Sequence, residues 1–425
     1  MERLLQYVWK YKLYKTTALT TTDGTPIQVI DTGIHNTDAG PDFFNAKIKI
    51  DQTVWAGSVE IHEKASDWLV HHHDLDKAYD AVILHIVGSA DAVIRRTTGE
   101  IIPQIVIRIP DAVSHNINWL LHHDTNMPCL PYIRDVEPVH LSGWVNALLQ
   151  ERLERKTRNI LDLLKLYNND WNEVFYIMLT RSFGFGINSD SFEWLAKSLP
   201  FQCIRKQRDN PVQVEALLFG QAGMLEYPGR CPYYLLLQRE FHFLKQKYNL
   251  RPLDASLFKN LRVRPGNFPY QRLAQLAAIW TAHGSLFSLI LESNVLNQMK
   301  GYLKQAPSEY WKTHYHFRYA SPQKEKTIGE DSLNILLINT VIPMLFAYGK
   351  QKRQEIYCER ALHLLETLPP EKNSIIYTFN RAGIPTRHAG DTQALIQLKR
   401  EYCESKKCLY CRIGFRFLKR AVPRE

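Results

Sequence analysis

Two consecutive strand-like segments near the start of the chain constrain its fold more than any other feature. Residues 43–50 and 54–62 are rich in apolar and β-branched side chains, and the three residues between them predict an antiparallel hairpin. A three-residue turn sets His62 opposite Asp42. Because strand side chains alternate with a period of two, Asp42, Glu60 and His62 are expected on one face of this hairpin.

The segments around the hairpin predict a small domain that combines helices and strands. A strand at 27–30 leads into the hairpin, a doubly buried strand is expected at 82–87, and a second hairpin is expected to pair 92–95 with 105–109. Helical patterns dominate from residue 142 onward. We therefore expect an α+β protein with a small mixed-sheet domain at residues 1–112, a connector at 113–140 and a large all-helical domain at 141–425.

Charge is distributed unevenly between these parts. The whole chain has a net charge of +10, whereas residues 1–115 carry 11 Lys+Arg against 15 Asp+Glu. The basic remainder suits contact with DNA or RNA, although a basic solvated surface explains the same charge. Arginine interleaved with aromatic residues suits phosphate contact and base stacking. The side chains expected to bind nucleic acid are Arg152, Arg155, Lys156, Arg262, Arg264 and Arg272.

Targeting and redox features point to the cytoplasm. The N-terminus lacks a basic stretch followed by a long apolar run, and no uninterrupted apolar stretch approaches the ~18 residues that span a bilayer. The seven cysteines are an odd number, which argues against a disulfide framework. We therefore expect a cytoplasmic protein without a membrane partner.

The hairpin face carries the residue types of a divalent-metal site. Carboxylates such as Asp42 and Glu60 are the oxygen ligands that Mg²⁺ or Mn²⁺ prefers, and the bound metal stabilises charge on a scissile phosphate. His62 is placed to orient or deprotonate the attacking water. A polar hairpin end with merely solvated carboxylates gives the same sequence pattern.

A group of histidines follows the hairpin and offers a second interpretation. His71 and His73 are close enough in the sequence to chelate a metal, and Asp76 lies three residues further on. With His62 they predict a transition-metal hydrolase that acts on a small molecule. His85, inside an apolar strand, is interpreted as a hydrogen-bonded core histidine.

Three cysteines near the end of the chain form another metal-binding pattern. Cys403, Cys408 and Cys411 lie within nine residues, and a tetrahedral thiolate site needs a fourth ligand. Cys129, in the connector, is the first candidate for the fourth ligand, and His388 and Cys358 are further candidates. Thiols packed in a core are the alternative explanation.

The chain resembles a family of uncharacterised bacterial proteins, common in Bacteroidetes, that is defined as a domain of unknown function. The resemblance runs over most of the chain and implies no established activity. The matching stretches are GPDFFNAKIKI at 40–50, VEIHEKASDW at 59–68, EALLFGQAGML at 215–225, RVRPGNFPYQRLAQLA at 262–277 and CLYCRIG at 408–414.

The first quarter also resembles the PD-(D/E)XK nuclease superfamily, in its strand order and in the spacing of Asp42 and Glu60. The resemblance implies a PD-(D/E)XK-like fold and a catalytic role for both carboxylates. His62 stands where that pattern has a lysine, and a histidine is mostly neutral near pH 7. Some exonucleases of the superfamily carry an iron–sulfur cluster on one upstream and three C-terminal cysteines. Zinc and a 4Fe–4S cluster therefore both remain open for the cysteines.

The sequence thus predicts a metal-dependent nuclease that hydrolyses phosphodiester bonds in DNA or RNA. Asp42, Glu60 and His62 are the expected catalytic residues, and Mg²⁺ or Mn²⁺ is the expected cofactor. Two alternatives remain open. One is a catalytically inactive nucleic-acid-binding or scaffold protein on the same fold, and the other is the histidine-based hydrolase of a small molecule.

Overall fold

A computed structural model of the chain describes residues 2–36, 38–123, 125, 127–226, 229, 231–261 and 263–419. The chain forms two compact units. The first comprises Met1–Leu141 together with Lys399–Glu425, and the second comprises Ser142–Leu398. The α+β fold class is confirmed, because a mixed sheet occupies the N-terminal part and helices occupy most of the remainder.

The first unit is built on a six-stranded mixed sheet with the order β1-β3-β4-β5-β6, and β2 also pairs with β3. The pairs β1–β3 and β3–β4 are antiparallel, whereas β4–β5 and β5–β6 are parallel. Its elements are α1 (Glu2–Lys10), β1 (Ile27–Asp31), β2 (Ile34–His35), β3 (Phe43–Ile50), β4 (Thr53–Lys64), α2 (Asp67–Val70), β5 (Val82–Ser89), β6 (Gln104–Val106) and α3 (Asp111–His122).

The predicted central hairpin exists as β3 and β4, but its register differs from the prediction. The turn has two residues, because Ile50 pairs with Thr53, and Asp51 adopts a left-handed φ of 53°. An irregularity between Phe43 and Ala46, with Asn45 at φ 55°, shifts the register again. Phe43 then pairs with Val59, so that residue 42 lies level with residue 60 and not with residue 62.

The sheet is buried on both faces, and this burial explains the run of apolar residues in β5. On one face α1 packs through Leu5 and Val8 against β-strand residues that include Ile61. On the other face Trp68 packs against Val82 and a small cluster of apolar residues. Apolar side chains on both sides of β5 are what a central parallel strand requires.

Two predictions about residues 92–140 are corrected by the structure. The second hairpin is shorter than expected: Arg95 bridges antiparallel to Ile101, and the Arg96 N–H donates to the Glu100 backbone oxygen at 2.9 Å. Residues 104–106 do not belong to this hairpin and form β6, which pairs in parallel with β5. The expected irregular connector contains helix α3 and a 3₁₀ turn at Leu130–Asp135. Val113 and Ile117 are buried four residues apart in α3, which is the helical spacing that the sequence prediction missed.

The C-terminal segment was expected to close the helical domain, and the structure places it in the first unit. Its last helix, α19 (Arg412–Leu418), packs against α3. Asn116 donates to the backbone oxygens of Phe417 and Leu418, each at 3.4 Å, and the Phe417 ring stacks on Trp119. These local apolar and polar contacts determine which unit the segment joins.

The second unit is almost entirely helical around one large apolar core. Helix α4 (Pro138–Leu166) begins just before the unit. The others are α5 (Trp171–Phe183), α6 (Ser189–Ser198), α7 (Phe201–Gln207), α8 (Pro211–Gln221), α9 (Pro232–Tyr248), α10 (Pro269–Ala282), α11 (Leu286–Glu292), α12 (Leu296–Leu303), α13 (Glu309–Lys312), α14 (Glu330–Leu336), α15 (Ile342–Lys352), α16 (Glu355–Thr367), α17 (Ser374–Arg381) and α18 (Ala389–Gln397), with a short strand pair β7 (His314–His316) and β8 (Tyr319–Ala320).

One helical stretch in the described part of the chain, Glu330–Lys352, is long and apolar enough to span a bilayer. Of its most apolar window, 78% is buried inside the protein. A bent pair, Pro269–Ala282 with Leu286–Glu292, passes the same criterion only as one span across a 70° bend. Burial of this extent is typical of a core helix.

A buried carboxylate joins two parts of the helical unit. Glu215 accepts hydrogen bonds from the Tyr233 hydroxyl at 2.7 Å and from the Trp311 indole nitrogen at 2.9 Å. Burial raises the pKa of Glu215 above its ordinary value of 4.5, and the hydrogen bonds oppose that rise. The folded state therefore holds this proton more tightly than the unfolded state does.

This raised pKa predicts a pH-dependent loss of stability. The contribution of the Glu215 proton is fully present below pH 4.5 and is lost as the pH rises toward the folded-state pKa. The Glu215→Gln variant has no such proton, so its stability relative to the wild type is expected to increase from pH 4 to pH 8 in urea unfolding. Glu226→Gln, at an exposed position, is the control. Wild-type and Glu215→Gln stabilities that change in parallel with pH contradict this expectation.

Candidate metal centre

Two carboxylates meet where β3 begins beside β4. The Asp42 backbone N–H donates to Glu60 Oε2 at 2.9 Å, and the Ile61 N–H donates to Asp42 Oδ2 at 3.0 Å. Gln6, from helix α1, donates its side-chain amide to Asp42 Oδ1 at 2.8 Å. The shifted register produces this arrangement, because it brings residue 42 level with residue 60. The pairing of Asp42 with Glu60 is therefore fixed by backbone donors.

The environment of these carboxylates disfavours their negative charges. Burial, with a further contribution from the Glu60 charge, raises the pKa of Asp42 to about 7. Burial also raises the pKa of Glu60 to about 8, against the lowering effect of the Asp42 backbone hydrogen bond. Two adjacent buried carboxyl groups of this kind share a site that favours a proton or a cation.

Three imidazoles converge next to Glu60. The ligand atoms of His62, His71 and His73 all lie within 4.8 Å of one another, and His62 Nε2 is 3.1 Å from His71 Nδ1. Glu60 Oε1 is 3.6 Å from His62 Nε2 and 3.5 Å from His73 Nε2. For comparison, tetrahedral ligands at Zn–N lengths of about 2.0–2.1 Å are roughly 3.3 Å apart. The spacing therefore fits three nitrogens and one carboxylate oxygen around a single metal ion.

His85 supports this cluster from the neighbouring strand. His62 Nδ1 is 2.8 Å from His85 Nε2, and the Gln104 amide nitrogen is 3.4 Å from His85 Nδ1. Burial lowers the pKa of His62 to about 3 and of His85 to about 2, so both rings are neutral. With His62 Nε2 on a metal, its Nδ1 would carry the proton and donate to His85 Nε2. The proton of neutral His85 would then lie on Nδ1, and the Gln104 amide would turn its oxygen toward it to accept. The core histidine predicted from the sequence thus fixes the tautomer of a ligand.

Aromatic packing orients the third imidazole. The ring of His73 stacks on Tyr79 with a centroid distance of 3.7 Å and meets the edge of Trp68 at 5.3 Å. Asp76, predicted as a ligand from the sequence, accepts a hydrogen bond from the Ala78 backbone N–H at 2.9 Å. In this position Asp76 caps the 3₁₀ turn Lys77–Tyr79, and Glu60 supplies the carboxylate nearest to the imidazoles.

Removal of the His85 ring is expected to weaken metal binding without touching a ligand. In the His85→Leu variant the Nδ1 proton of His62 loses its acceptor, and changes of this kind lower metal affinity by about 10–100-fold. Isothermal titration of the metal-free protein with Zn²⁺ or Mn²⁺ measures this change. Ile86→Val, at the adjacent buried position, is the control for altered packing. Equal affinity in His85→Leu and the wild type excludes the supporting role.

A polar and aromatic pocket adjoins the carboxylates. It encloses about 310 Å³ of empty space, part of it open to solvent. Gln6 both lines this pocket and donates to Asp42. The lining residues are Arg3, Gln6, Tyr7, Lys10, Tyr11, His35, Leu409 and Tyr410. We call this set the α1 pocket, because five of its members belong to or directly follow helix α1.

The predicted nucleic-acid-binding residues lie in the helical unit, where most of them stabilise its interior. Arg152 and Arg272 are buried and donate to the side-chain oxygens of Gln393 and Gln275. Arg155 donates to Gln397 and Lys156 to Asn339, each at 3.0 Å. Arg264 is exposed, and Arg262 lies outside the described residues. Nucleic-acid contact by this set stays a prediction.

Several residues of the site were not found by sequence reasoning. Gln6, Arg3 and Lys10 lie on the polar part of an amphipathic helix, and no motif connects them with residue 42. The spacing of Arg3, Tyr7 and Lys10 places them on one side of α1, which was the available sequence indication. Only the tertiary packing of α1 on β4 brings that side to the carboxylates.

Comparison with known proteins agrees with the first resemblance. The sequence matches the family of proteins of unknown function DUF2851 over residues 2–374. This range includes Gln6, both carboxylates and the histidine cluster, and it ends before Cys403, Cys408 and Cys411. No curated protein and no solved structure matches the chain. Because the matched range covers most of its 425 residues, the chain belongs to the DUF2851 family.

Proposed function

We propose that the first unit is a metal-dependent hydrolase of phosphodiester bonds in nucleic acid. The observation that carries this proposal is the convergence of His62, His71, His73 and Glu60 beside a second, partly buried carboxylate, Asp42. Three imidazoles favour zinc or another late transition metal over magnesium, which prefers oxygen ligands. Of the two metals expected from the sequence, Mn²⁺ therefore suits this site better than Mg²⁺.

Each residue has a separate role in the proposed reaction. A metal bound by the three histidines and Glu60 would polarise a phosphoryl oxygen and lower the pKa of a water ligand. Burial lowers the pKa of His73, and the charges of Asp76 and Asp42 oppose this lowering, so that Asp42 lies beside the cluster. Asp42 thus accepts the proton of the attacking water, and Gln6 and the Ile61 N–H hold both of its oxygens.

The α1 pocket supports a phosphate-containing substrate. Arg3 and Lys10 are exposed cations at its rim, and Lys10 contributes to a lowered pKa of His35, mainly caused by burial. The Tyr7 hydroxyl is buried and, within the described part of the chain, has no hydrogen-bond partner. The exposed cations and the tyrosine rings together suit phosphate contact and base stacking.

The sheet topology supports the resemblance to the PD-(D/E)XK superfamily. An antiparallel hairpin carries the two acidic residues, and a parallel strand follows on its far side. The residue in the lysine position, His62, is 3.6 Å from Glu60 and faces the imidazole cluster. In our proposal this departure from the superfamily pattern converts a charge-stabilising position into a metal ligand.

A second candidate function, hydrolysis of a small molecule, is favoured by the three imidazoles, because three protein ligands with a further position for water or substrate are typical of catalytic zinc sites. The two functions differ in substrate and share the metal centre. A cleavage assay on labelled single- and double-stranded DNA and RNA, with Mg²⁺, Mn²⁺ and Zn²⁺ in turn, separates them. Absence of cleavage with all three metals refutes the nuclease proposal.

The pocket cations are expected to determine substrate affinity more than turnover. The Arg3→Ala, Lys10→Ala double variant is expected to raise KM at least about tenfold. It is also expected to reduce the salt dependence of binding, because each lost phosphate contact makes the plot of log K against log salt concentration shallower by about 0.7–0.9. Lys15→Ala with Lys47→Ala removes two exposed cations of the same unit outside the pocket and is the control. Equal salt slopes in the two double variants argue against phosphate binding in the pocket.

A further inference from the structure

Four cysteines from separate parts of the sequence come together in the first unit. Cys129 follows α3, Cys403 ends a π-helical turn, and Cys408 and Cys411 flank the 3₁₀ turn Cys408–Tyr410. Cys129 and Cys408 pack against the same apolar cluster of this unit. The thiols of all four residues are also close enough for each of their six pairs to interact electrostatically. The fold thus assembles the upstream cysteine with the three C-terminal ones.

Specific backbone contacts hold these segments next to one another. The Lys406 ammonium donates to the backbone oxygens of His123 at 3.1 Å and Thr125 at 3.3 Å, so the loop between Cys403 and Cys408 is tied to the segment before Cys129. Lys406 itself adopts a left-handed φ of 51°, which turns the loop. The turn brings Cys408 and Cys411 toward Cys403 and Cys129.

A backbone hydrogen bond also closes the turn that contains Cys408 and Cys411. The Cys411 N–H donates to the Cys408 carbonyl oxygen at 3.3 Å. Gly414 lies one helical turn further on, where an added Cβ would approach that carbonyl oxygen to 2.2 Å. Only glycine leaves room for this approach, so the turn is pressed against the start of α19.

The chemistry of the four sulfurs is that of metal ligands. All four are free thiols in the structure. Cys411 is buried, and the other three are partly buried. Thiolates are the ligands of structural zinc sites and of iron–sulfur clusters, and a bound cation would displace their protons.

We propose that Cys129, Cys403, Cys408 and Cys411 form a second, tetrathiolate metal centre that binds zinc or an iron–sulfur cluster. This centre is separate from the histidine cluster and has no open ligand position for substrate when all four sulfurs bind one zinc ion. Its role is structural. It fixes the C-terminal segment, which the DUF2851 match does not include, onto the first unit.

The proposed centre also determines one wall of the α1 pocket. Leu409 and Tyr410 line that pocket and are the two residues between Cys408 and Cys411. Tyr11, on the opposite wall, packs against Phe415 of α19 with a centroid distance of 4.6 Å. The metal would therefore hold Tyr410 in place next to the hydrolytic site, and this consequence alone rests on the proposed function.

Metal analysis of the full chain tests the proposal. Protein purified under anaerobic conditions is expected to contain, at the cysteines, about one zinc per chain or an iron–sulfur cluster with labile sulfide and visible absorption. The Cys403→Ser, Cys408→Ser double variant is expected to lose this metal and retain any metal of the histidine cluster. Cys203→Ser with Cys358→Ser, in the helical unit, is the control. Equal metal content in the wild type and the Cys403→Ser, Cys408→Ser variant overturns the proposal.

Thiol accessibility of the wild type gives a test that does not depend on a variant folding. A chelator is expected to release the metal and to make about four further thiols per chain reactive toward Ellman's reagent, because each ligand sulfur is protected while bound. Unchanged thiol reactivity after chelation, or wild-type protein without zinc and iron, overturns the proposal. The His71→Ala, His73→Ala variant should show the same increase in thiol reactivity. Failure of the hydrolase proposal can therefore be distinguished from failure of the cysteine-centre proposal.

Discussion

Replacing His71 and His73 together by alanine is expected to abolish metal binding at the histidine cluster and hydrolysis with it. Two of the three converging nitrogens disappear, whereas His62 and Glu60 remain. Zinc sites with four ligands bind with about 10–16 kcal/mol, or roughly 2.5–4 kcal/mol per ligand if shared evenly. Loss of two ligands should therefore weaken binding by about 10³-fold or more. Equilibrium dialysis against Zn²⁺ or Mn²⁺ measures this loss.

The loop itself provides the matched control for this variant. His72 lies between the two ligands, is exposed and adopts a left-handed φ of 60°, which asparagine tolerates. The His72→Asn variant is therefore expected to bind metal and to hydrolyse substrate as the wild type does. If the His71→Ala, His73→Ala variant keeps wild-type metal affinity, these histidines are not ligands and the proposed site is wrong.

Replacing Asp42 by asparagine is expected to separate catalysis from metal binding. The side chain keeps its size and its acceptor for the Ile61 N–H, but it can no longer take a proton from water. Loss of a general base lowers turnover by about 10²–10⁴-fold. Metal affinity should change far less, because the carboxylate oxygen that lies next to the imidazole nitrogens belongs to Glu60. Single-turnover hydrolysis and metal titration of the same preparation measure the two effects.

Glu63→Gln is the control for loss of an acidic residue on the same strand. Glu63 is exposed and close in sequence to both Glu60 and His62, so its replacement should leave turnover and metal affinity unchanged. The assigned role of Asp42 is contradicted if Asp42→Asn turns over substrate at the wild-type rate. It is also contradicted if metal affinity falls as steeply as in the double histidine variant, since Asp42 would then be a ligand.

The strands of the site could be predicted from the sequence, and their register could not. Alternating and continuous apolar runs identify β3, β4 and β5. The left-handed conformations of Asn45 and Asp51, which shift the pairing, leave no periodic trace in the sequence. Asp42 and Glu60 were therefore found as a pair, whereas the backbone hydrogen bonds that join them were not.

The more distant contributions to the site depend on tertiary packing. His71 and His73 were recognised because they are close together in the sequence, but Glu60 as their carboxylate partner required the structure. Gln6 contacts Asp42, which is 36 positions away in the sequence. The residues on a helix face do not show which strand the helix will pack against. The C-terminal segment packs in the first unit for the same reason, since its partner residues lie in helix α3, which the sequence did not reveal.

The most direct test of the central claim is anomalous diffraction from crystals of the protein soaked with Zn²⁺ or Mn²⁺. If the histidine cluster binds metal as proposed, an anomalous peak is expected about 2.0–2.2 Å from four ligand atoms. These atoms are His62 Nε2, His71 Nδ1, an imidazole nitrogen of His73 and Glu60 Oε1. A peak held only by Asp42 and Glu60 would instead indicate an oxygen-ligated site of the magnesium type. That result, or the absence of a peak at the three histidines, would contradict metal binding by the histidine cluster.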